Sequence, residues 1–246
     1  MFCIDNRCTD VYFNLAVEEY LLKQTQGDYF VIWQSEPSVV MGKNQSVRAE
    51  VNEDYRIEKG IRLARRFSGG GAVYHDKGNI NLTFIETTSQ PLFEDYLQRI
   101  VGFLETMGVT AYTDERLGIY LDGKKISGSA QSIHKGRILH HATLLFSTDL
   151  YHLTTALKST GQRPEEKEVN PAPFYVKSVR SPVTNICTYT RKAVSIGEFR
   201  DALLNYFTEN KTATRPYSFT EDDLNAIRSL RDNKYATPAW NFNIRT

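Results

Sequence analysis

The chain has 246 residues, 41% of them hydrophobic, enough for one sizeable core or one large domain with a small appendage. Thirty basic against 29 acidic residues leave a net charge of +1, which argues against general nucleic-acid binding, since that function usually shows a basic excess. No apolar run approaches the ~20 residues of a membrane span, and the start, MFCIDNRCTD, lacks the basic and apolar segments of a signal peptide. Cys3, Cys8 and Cys187 have no metal-type spacing and suit free thiols in a reducing compartment, so the expected location is cytoplasmic.

In chain order, Asp10 can cap a helix running from about Val11 to Lys23, with Leu15, Val17, Leu21 and Leu22 at roughly helical spacing. YFVIWQ (29–34) and SVVMG (38–42) read as strands separated by Pro37. A short helix is predicted from Val51 to Lys59, stopped by Gly60. IRLARRF (61–67) alternates apolar and basic residues like a half-buried strand, and NINLTFIE (79–86) alternates likewise. Residues 91–108 form an amphipathic helix with Leu92, Tyr96, Ile100, Phe103, Leu104 and Met107 on one face. GIYLDGKKISGSA (118–130) reads as a hairpin turning at Asp122-Gly123, a preferred pair for a tight I′ turn. A strand follows over 138–147, then a long proline-rich surface loop over 160–182, then helices over 195–210 and 221–233. The sum is an α+β fold, an antiparallel-rich sheet with segregated helices.

One stretch resists an explanation by propensity. RRFSGGGAVYHDKGN (65–79) places three consecutive glycines after two arginines and a serine. Such glycines serve where φ must be positive or where a ligand lies against the backbone, and successive N–H groups form an anion-binding concavity. Arg65 and Arg66 point to opposite sides of a strand, so one of them would face the loop and could hold phosphate oxygens. The alternative is an ordinary glycine-rich turn beside a solvated strand end. The pattern is neither a P-loop nor a dinucleotide fingerprint, because its glycines are contiguous and no Lys-Ser/Thr pair follows. In GKKISGSAQ (123–131), Lys124 and Lys125 face opposite sides, so one can enter a site while the other is solvated. His140 and His141 likewise diverge and cannot easily share a metal; they read as site or core histidines. His75-Asp76 reads either as a base with its orienter or, preferably, as hydrogen-bonding groups that shape the turn.

Together these motifs resemble the lipoate–protein ligases. The match runs almost position for position from Arg65 to Asn79. It continues through GKKISGSAQ, LHHATLL and VKSVRSPVTN (176–185), and includes Asn14, Ala16, Glu18 and Glu19 of NLAVEE near the start and AWNF (239–242) near the end. The resemblance implies the catalytic-domain fold shared with biotin–protein ligases, an α+β fold with an antiparallel-rich mixed sheet, as one domain over 1–246 with a core of about 27–212. It implies ATP and Mg2+ as cofactors and lipoate as substrate. Lipoyl-adenylate would form with loss of pyrophosphate, and a lysine of a lipoyl domain would then take the lipoyl group. Lys125 would contact both the lipoate carboxylate and the phosphate. Arg66, Ser68, Gly69, Gly70, Gly71, Ala72, Val73, Tyr74, His75, Asp76, Asn79 and His141 would surround the nucleotide and the adenylate, with His141 near the acyl pocket. The implied partners are lipoyl domains of 2-oxoacid dehydrogenase complexes or the glycine-cleavage H protein, and neither nucleic acid nor membrane.

Two departures qualify this expectation. Many ligases carry an Asn-Asp pair, associated with the metal, where this chain has Leu117 and Gly118, which offer no side-chain oxygen to a hard cation. Either phosphates and water hold magnesium, or Asp114 or Glu115 substitutes. The chain also stops at about the end of the catalytic domain, without the accessory domain of many ligases, so a separate accessory protein or a transfer-only role is an alternative. A cysteine-dependent octanoyl or lipoyl transferase is a further alternative, although VTAYTDERLG (109–118) lacks the cysteine of one such branch. A non-catalytic lipoate- or adenylate-binding relative is the reading from another class. The 160–182 loop is expected to close over the adenylate.

Overall fold

The computed structural model describes residues 1–88, 90, 92–157, 175–209 and 214–242. It opens with strand β1 (Phe2–Asp5) and helix α1 (Val11–Gln24), whose N-cap Asp10 accepts the Tyr12 N–H. β2 (Tyr29–Trp33) and β3 (Ser38–Met41) follow. The helix expected over 51–59 is α3 (Glu53–Glu58), started by Asn52, which accepts the Tyr55 N–H, and a further short helix, α2 (Val47–Glu50), precedes it. Then come β4 (Arg62–Arg65), β5 (Val73–His75), β6 (Asn79–Thr87) and helix α4 (Phe93–Thr106). Strands β7 (Tyr112–Thr113), β8 (Ile119–Leu121), β9 (Lys124–Ser127), β10 (Ser129–His134) and β11 (Arg137–Leu145) lead to α5 (Leu150–Ala156). Most of the expected 160–182 loop lies outside the described residues. The chain continues through α6 (Ile196–Glu209), β12 (Arg215–Pro216), α7 (Glu221–Leu230) and α8 (Pro238–Phe242).

The large sheet runs β10-β11-β6-β2-β1-β12. Its pairs are antiparallel except β1 with β2 and β1 with β12, so the sheet is mixed. β2 shows why it reads as an unbroken apolar run: both its faces are covered. Phe30 and Ile32 join a core with α4 and α6, where Leu97, Ile100, Phe103, Phe199 and Leu203 close over Leu82 and Phe84. Tyr29, Val31 and Trp33 face a second core with Leu15, Leu21, Ile227 and Trp240. Each leucine-sized side chain enclosed this way contributes about 1.5–3 kcal/mol.

Two three-stranded sheets carry the unusual motifs. In β4-β3-β5, Val39, Met41, Leu63 and Tyr74 pack on Val47, Val51 and Leu153. In β7-β8-β9, Asp122 and Gly123 both take positive φ, 45° and 73°, as the predicted I′ turn requires. The hairpin expected over 118–130 is shorter than read. At Gly128 the chain leaves this sheet and returns as β10 at the edge of the large one, stitched to β11 by the Thr143 N–H on the Gly128 carbonyl. Among the described residues no helix is long and apolar enough to cross a membrane.

Candidate active site

The two arginines are both buried, against the half-solvated strand expected of IRLARRF. Arg65 is fully enclosed and donates to the carbonyls of Gly42, Gln45 and Asn241, so it ties β4 to its neighbours. Arg66 turns the other way, into the glycine loop. Its Nη2 donates to the carbonyls of Gly69 and Gly71 at 2.6 and 2.7 Å, its Nη1 to Val40, and its Nε to Ser68 Oγ at 3.1 Å. Burial pulls Arg66 down to about 10, opposed by the negative charge of Glu18. Carbonyls held by this guanidinium are turned inward, which sets the attitude of the intervening peptide planes. Gly70 sits at φ +85° in this turn.

The lysine enters from the hairpin. Lys124 is exposed and Lys125 half-buried, the opposed pair the pleat predicts. The Lys125 backbone is clamped from its far side, its N–H donating to the Pro182 carbonyl and its carbonyl accepting from Thr184. Its ammonium lies 5.9 Å from the centroid of the Tyr120 ring. Burial lowers the Lys125 pKa, and Asp114 nearby works against that shift. Asp114 is itself directed inward: burial raises it, but the Gly118 N–H, the Tyr120 hydroxyl and Lys125 outweigh burial and hold it below the usual range.

The histidines take three different roles. His140 is enclosed in the core, stacked on Tyr96 at 4.8 Å, while His141 faces α1. His141 Nδ1 lies 3.0 Å from both oxygens of buried Glu18, and its Nε2 lies 2.9 Å from Ser68 Oγ. His75 does not shape the turn as expected. It is buried edge-on to Trp33, both ring nitrogens lack a partner among the described residues, and burial first, then Arg66 and His141, push it down to about 3. Asp76 does shape the turn, accepting the N–H groups of Gly78 and Asp149.

These elements surround a cavity of about 500 Å3, within the size range of small-molecule sites. Arg66, Gly70, Gly71, Ala72, Val73, Tyr74, His75, Lys125 and His141 line it; Ser68, Asp76 and Asn79 are buried outside that lining, and Gly69 is exposed on the loop. Leu15, Trp33, Leu145, Leu153 and Val183 make part of it apolar. Residues that sequence reading did not single out also reach it, among them Glu50, Arg116, Ser178 and Arg180. Only the resemblance of VKSVRSPVTN hinted at the last two. Ser178 Oγ accepts the Ala72 N–H at 2.8 Å, and its own N–H donates to Glu50. None of the three cysteines lines the cavity, and Cys3 is pushed up to about 11 by burial and by Asp5. Among the described residues no group of three His, Cys, Asp or Glu side chains could hold a metal. Leu117 and Gly118 offer no side-chain oxygen, and Asp114 Oδ1 accepts the Arg116 and Gly118 N–H groups. The described residues therefore form no all-protein cage for magnesium, an ion that usually keeps water and phosphate ligands.

Comparison with known proteins shows the family to which the chain belongs. The model of the lipoyl protein ligase A/B catalytic domain matches residues 10–208. A Bacillus subtilis protein, lipoate-protein ligase LplJ, is 38% identical over 250 residues, covering 98% of this chain and 73% of its own. The solved structure of a bi-partite lipoate protein ligase from Thermoplasma acidophilum superposes with a TM-score of 0.83 at 30% identity, covering 99% of this chain and 96% of that one. A lipoate-protein ligase A solved with bound ATP superposes at 0.80 with 28% identity, covering 99% and 98%. The fold class expected from the sequence is the one found, and the chain belongs to the lipoyl protein ligase A/B catalytic-domain family.

Proposed function

We propose that this chain is an ATP-dependent lipoate–protein ligase acting as one catalytic domain in the cytoplasm. The observation that carries the reading is the convergence of Lys125 and the glycine loop on one cavity whose remaining wall is apolar in part. The apolar part suits a hydrocarbon tail, and the cationic, amide-rich part suits a carboxylate beside a phosphate. A carboxylate oxygen of lipoate attacks the α-phosphorus of ATP, the bond to the β-phosphate oxygen breaks, and pyrophosphate leaves. A neutral lysine amine of a lipoyl domain then attacks the acyl carbon; the amide forms, the amine loses its proton, and AMP departs.

The first step brings two anions together and the second places growing negative charge on the departing AMP, so the catalytic requirement is a preorganised positive field. Lys125 supplies it at the carboxylate and phosphate. Arg66 acts by fixing the loop carbonyls, so that Gly70, Gly71, Ala72, Val73 and Tyr74 present a defined wall to the nucleotide. Mg2+ enters this reading as the counter-ion of ATP, bound by its phosphates and water. The acceptors are lipoyl domains of 2-oxoacid dehydrogenase complexes or the glycine-cleavage H protein, with a separate accessory protein as an additional partner where activation alone is slow. The absence of a cysteine from the cavity wall favours this reading over thiol-dependent transfer.

Intact-mass spectrometry of an apo lipoyl domain, incubated with the protein, lipoate and Mg2+, tests it. A lipoyl mass gain that requires ATP and is abolished in Lys125→Ala is the expected result. Gain without ATP from an acylated donor would replace it with a transferase. Gain only from pre-formed lipoyl-adenylate would restrict the activity to transfer.

A further inference from the structure

The motif NLAVEE contains two carboxylates that the proposed chemistry does not use. Asn14 pins two loops through the carbonyls of Cys8 and Gln34, and Glu19 holds Lys234 and Tyr235. Glu18 is different: it is completely buried on α1, and among the described residues its carboxylate meets Thr83 and the cavity-lining His141. Its Oε1 accepts the Thr83 hydroxyl at 2.6 Å, and Thr83 in turn accepts the Trp33 indole N–H at 3.0 Å. Both carboxylate oxygens face His141 Nδ1 at 3.0 Å. With Glu18 accepting, Nδ1 carries the proton and Nε2 is left to accept. Ser68, which already accepts from Arg66 Nε, has one hydrogen, and His141 Nε2 stands 2.9 Å away to take it. Every donor and acceptor in the run from Trp33 to Arg66 then has one consistent assignment.

The run has the order of a Ser-His-acid triad, but its serine is unsuited to nucleophilic attack. Ser68 is 2% exposed, lies outside the cavity lining, and its lone pair is engaged by a cation. What the run can do is fix geometry. It joins two cavity-lining side chains, Trp33 and His141, to the serine at which the glycine loop begins.

Resting on the ligase reading for its activity assay, we propose that Glu18 is a positioning residue: it orients His141 and, through Ser68, holds the 68–71 turn in the form that faces the ligand phosphate. In this role Oε1 is the atom that matters, since it alone receives both Thr83 and His141. Gln keeps that acceptor and Leu of similar size does not.

The test compares Glu18→Gln, Glu18→Leu, Ser68→Ala and the Glu18→Leu/Ser68→Ala double variant in full-length protein. Lipoyl-domain acylation should fall about tenfold to a hundredfold in kcat for Glu18→Leu, with KM for lipoate moving less than about threefold. Glu18→Gln should recover most of that loss. The double variant should be little worse than the poorer single variant, as expected of groups acting in one chain. Amide hydrogen exchange supplies a readout that needs no turnover. Gly69, Gly70 and Gly71 should exchange faster in Glu18→Leu than in wild type, while amides in α4 stay unchanged. If wild type acylates nothing, the ligase reading fails and the exchange comparison still decides the role of Glu18. Unchanged loop exchange in Glu18→Leu, or fully multiplicative losses in the double variant, would overturn the proposal.

Discussion

His75 and His140 are imidazoles enclosed by protein, both pushed from the ordinary 6.5 to about 3, first by burial and then by neighbouring charge. Between those limits the unfolded chain binds protons that the folded chain refuses, so stability rises with pH across the window. The contribution is fully present above about 6.5 and is lost as the pH falls toward 3. His140 is the cleaner probe, because it stacks on Tyr96 in the core, away from the cavity wall. In His140→Phe the urea midpoint should decline less steeply between pH 6.5 and pH 4 than in wild type; parallel curves would show that His140 does not contribute. That His140 and His141 point apart was legible from the pleat alone. The partner of His141 was not, since Glu18 lies 123 positions away and only the crossing of α1 over β11 brings them together. The same limit hid Arg65. A strand alternating Arg with apolar residues reads as half-solvated, and nothing local announces that the Gly42, Gln45 and Asn241 carbonyls converge on one guanidinium.

At the scale of elements, the glycine loop and the strand that underlies it form one unit. A Cβ on Gly42 would overlap the Gly70 carbonyl, so the end of β3 and the turn touch through bare backbone. Gly42→Ala should therefore displace the loop at a cost of about 1–3 kcal/mol, the usual penalty for forcing atoms into a packed site. Acylation should fall by about two orders of magnitude while far-ultraviolet circular dichroism stays native. Retained activity would mean that the loop tolerates the shift. The peculiarity of the loop was plain in the sequence because contiguous glycine has no propensity rationale, and the Asp122-Gly123 turn was plain because φ must be positive twice. The change of sheet at Gly128 was not: GKKISGSAQ has the pattern of one continuous strand, and the two sheets that share it are specified by distant partners, β8 on one side and β11 on the other.

Over the whole molecule, two cores grip one sheet, and the site lies where the large sheet meets the two small ones. The last described helix clasps this arrangement from outside. Asn241 accepts the Arg65 N–H at 2.8 Å and donates to the Tyr235 and Thr237 carbonyls, while the Trp240 indole donates to the Arg65 carbonyl at 2.6 Å. Asn241→Ala leaves a buried N–H without its acceptor and should lower stability by about 1–3 kcal/mol. Urea unfolding should show a lower midpoint at unchanged slope; an unmoved midpoint would mean the clasp is replaced by water at no cost.

The Ala72 amide has a consequence of its own. Its hydrogen rests on the Ser178 hydroxyl oxygen. A ligand oxygen that claims it does not add a bond; it trades one for another and leaves the Ser178 oxygen without that donor. Affinity is then a difference between two contacts, and the heat released on binding under-reports the strength of the one the ligand makes.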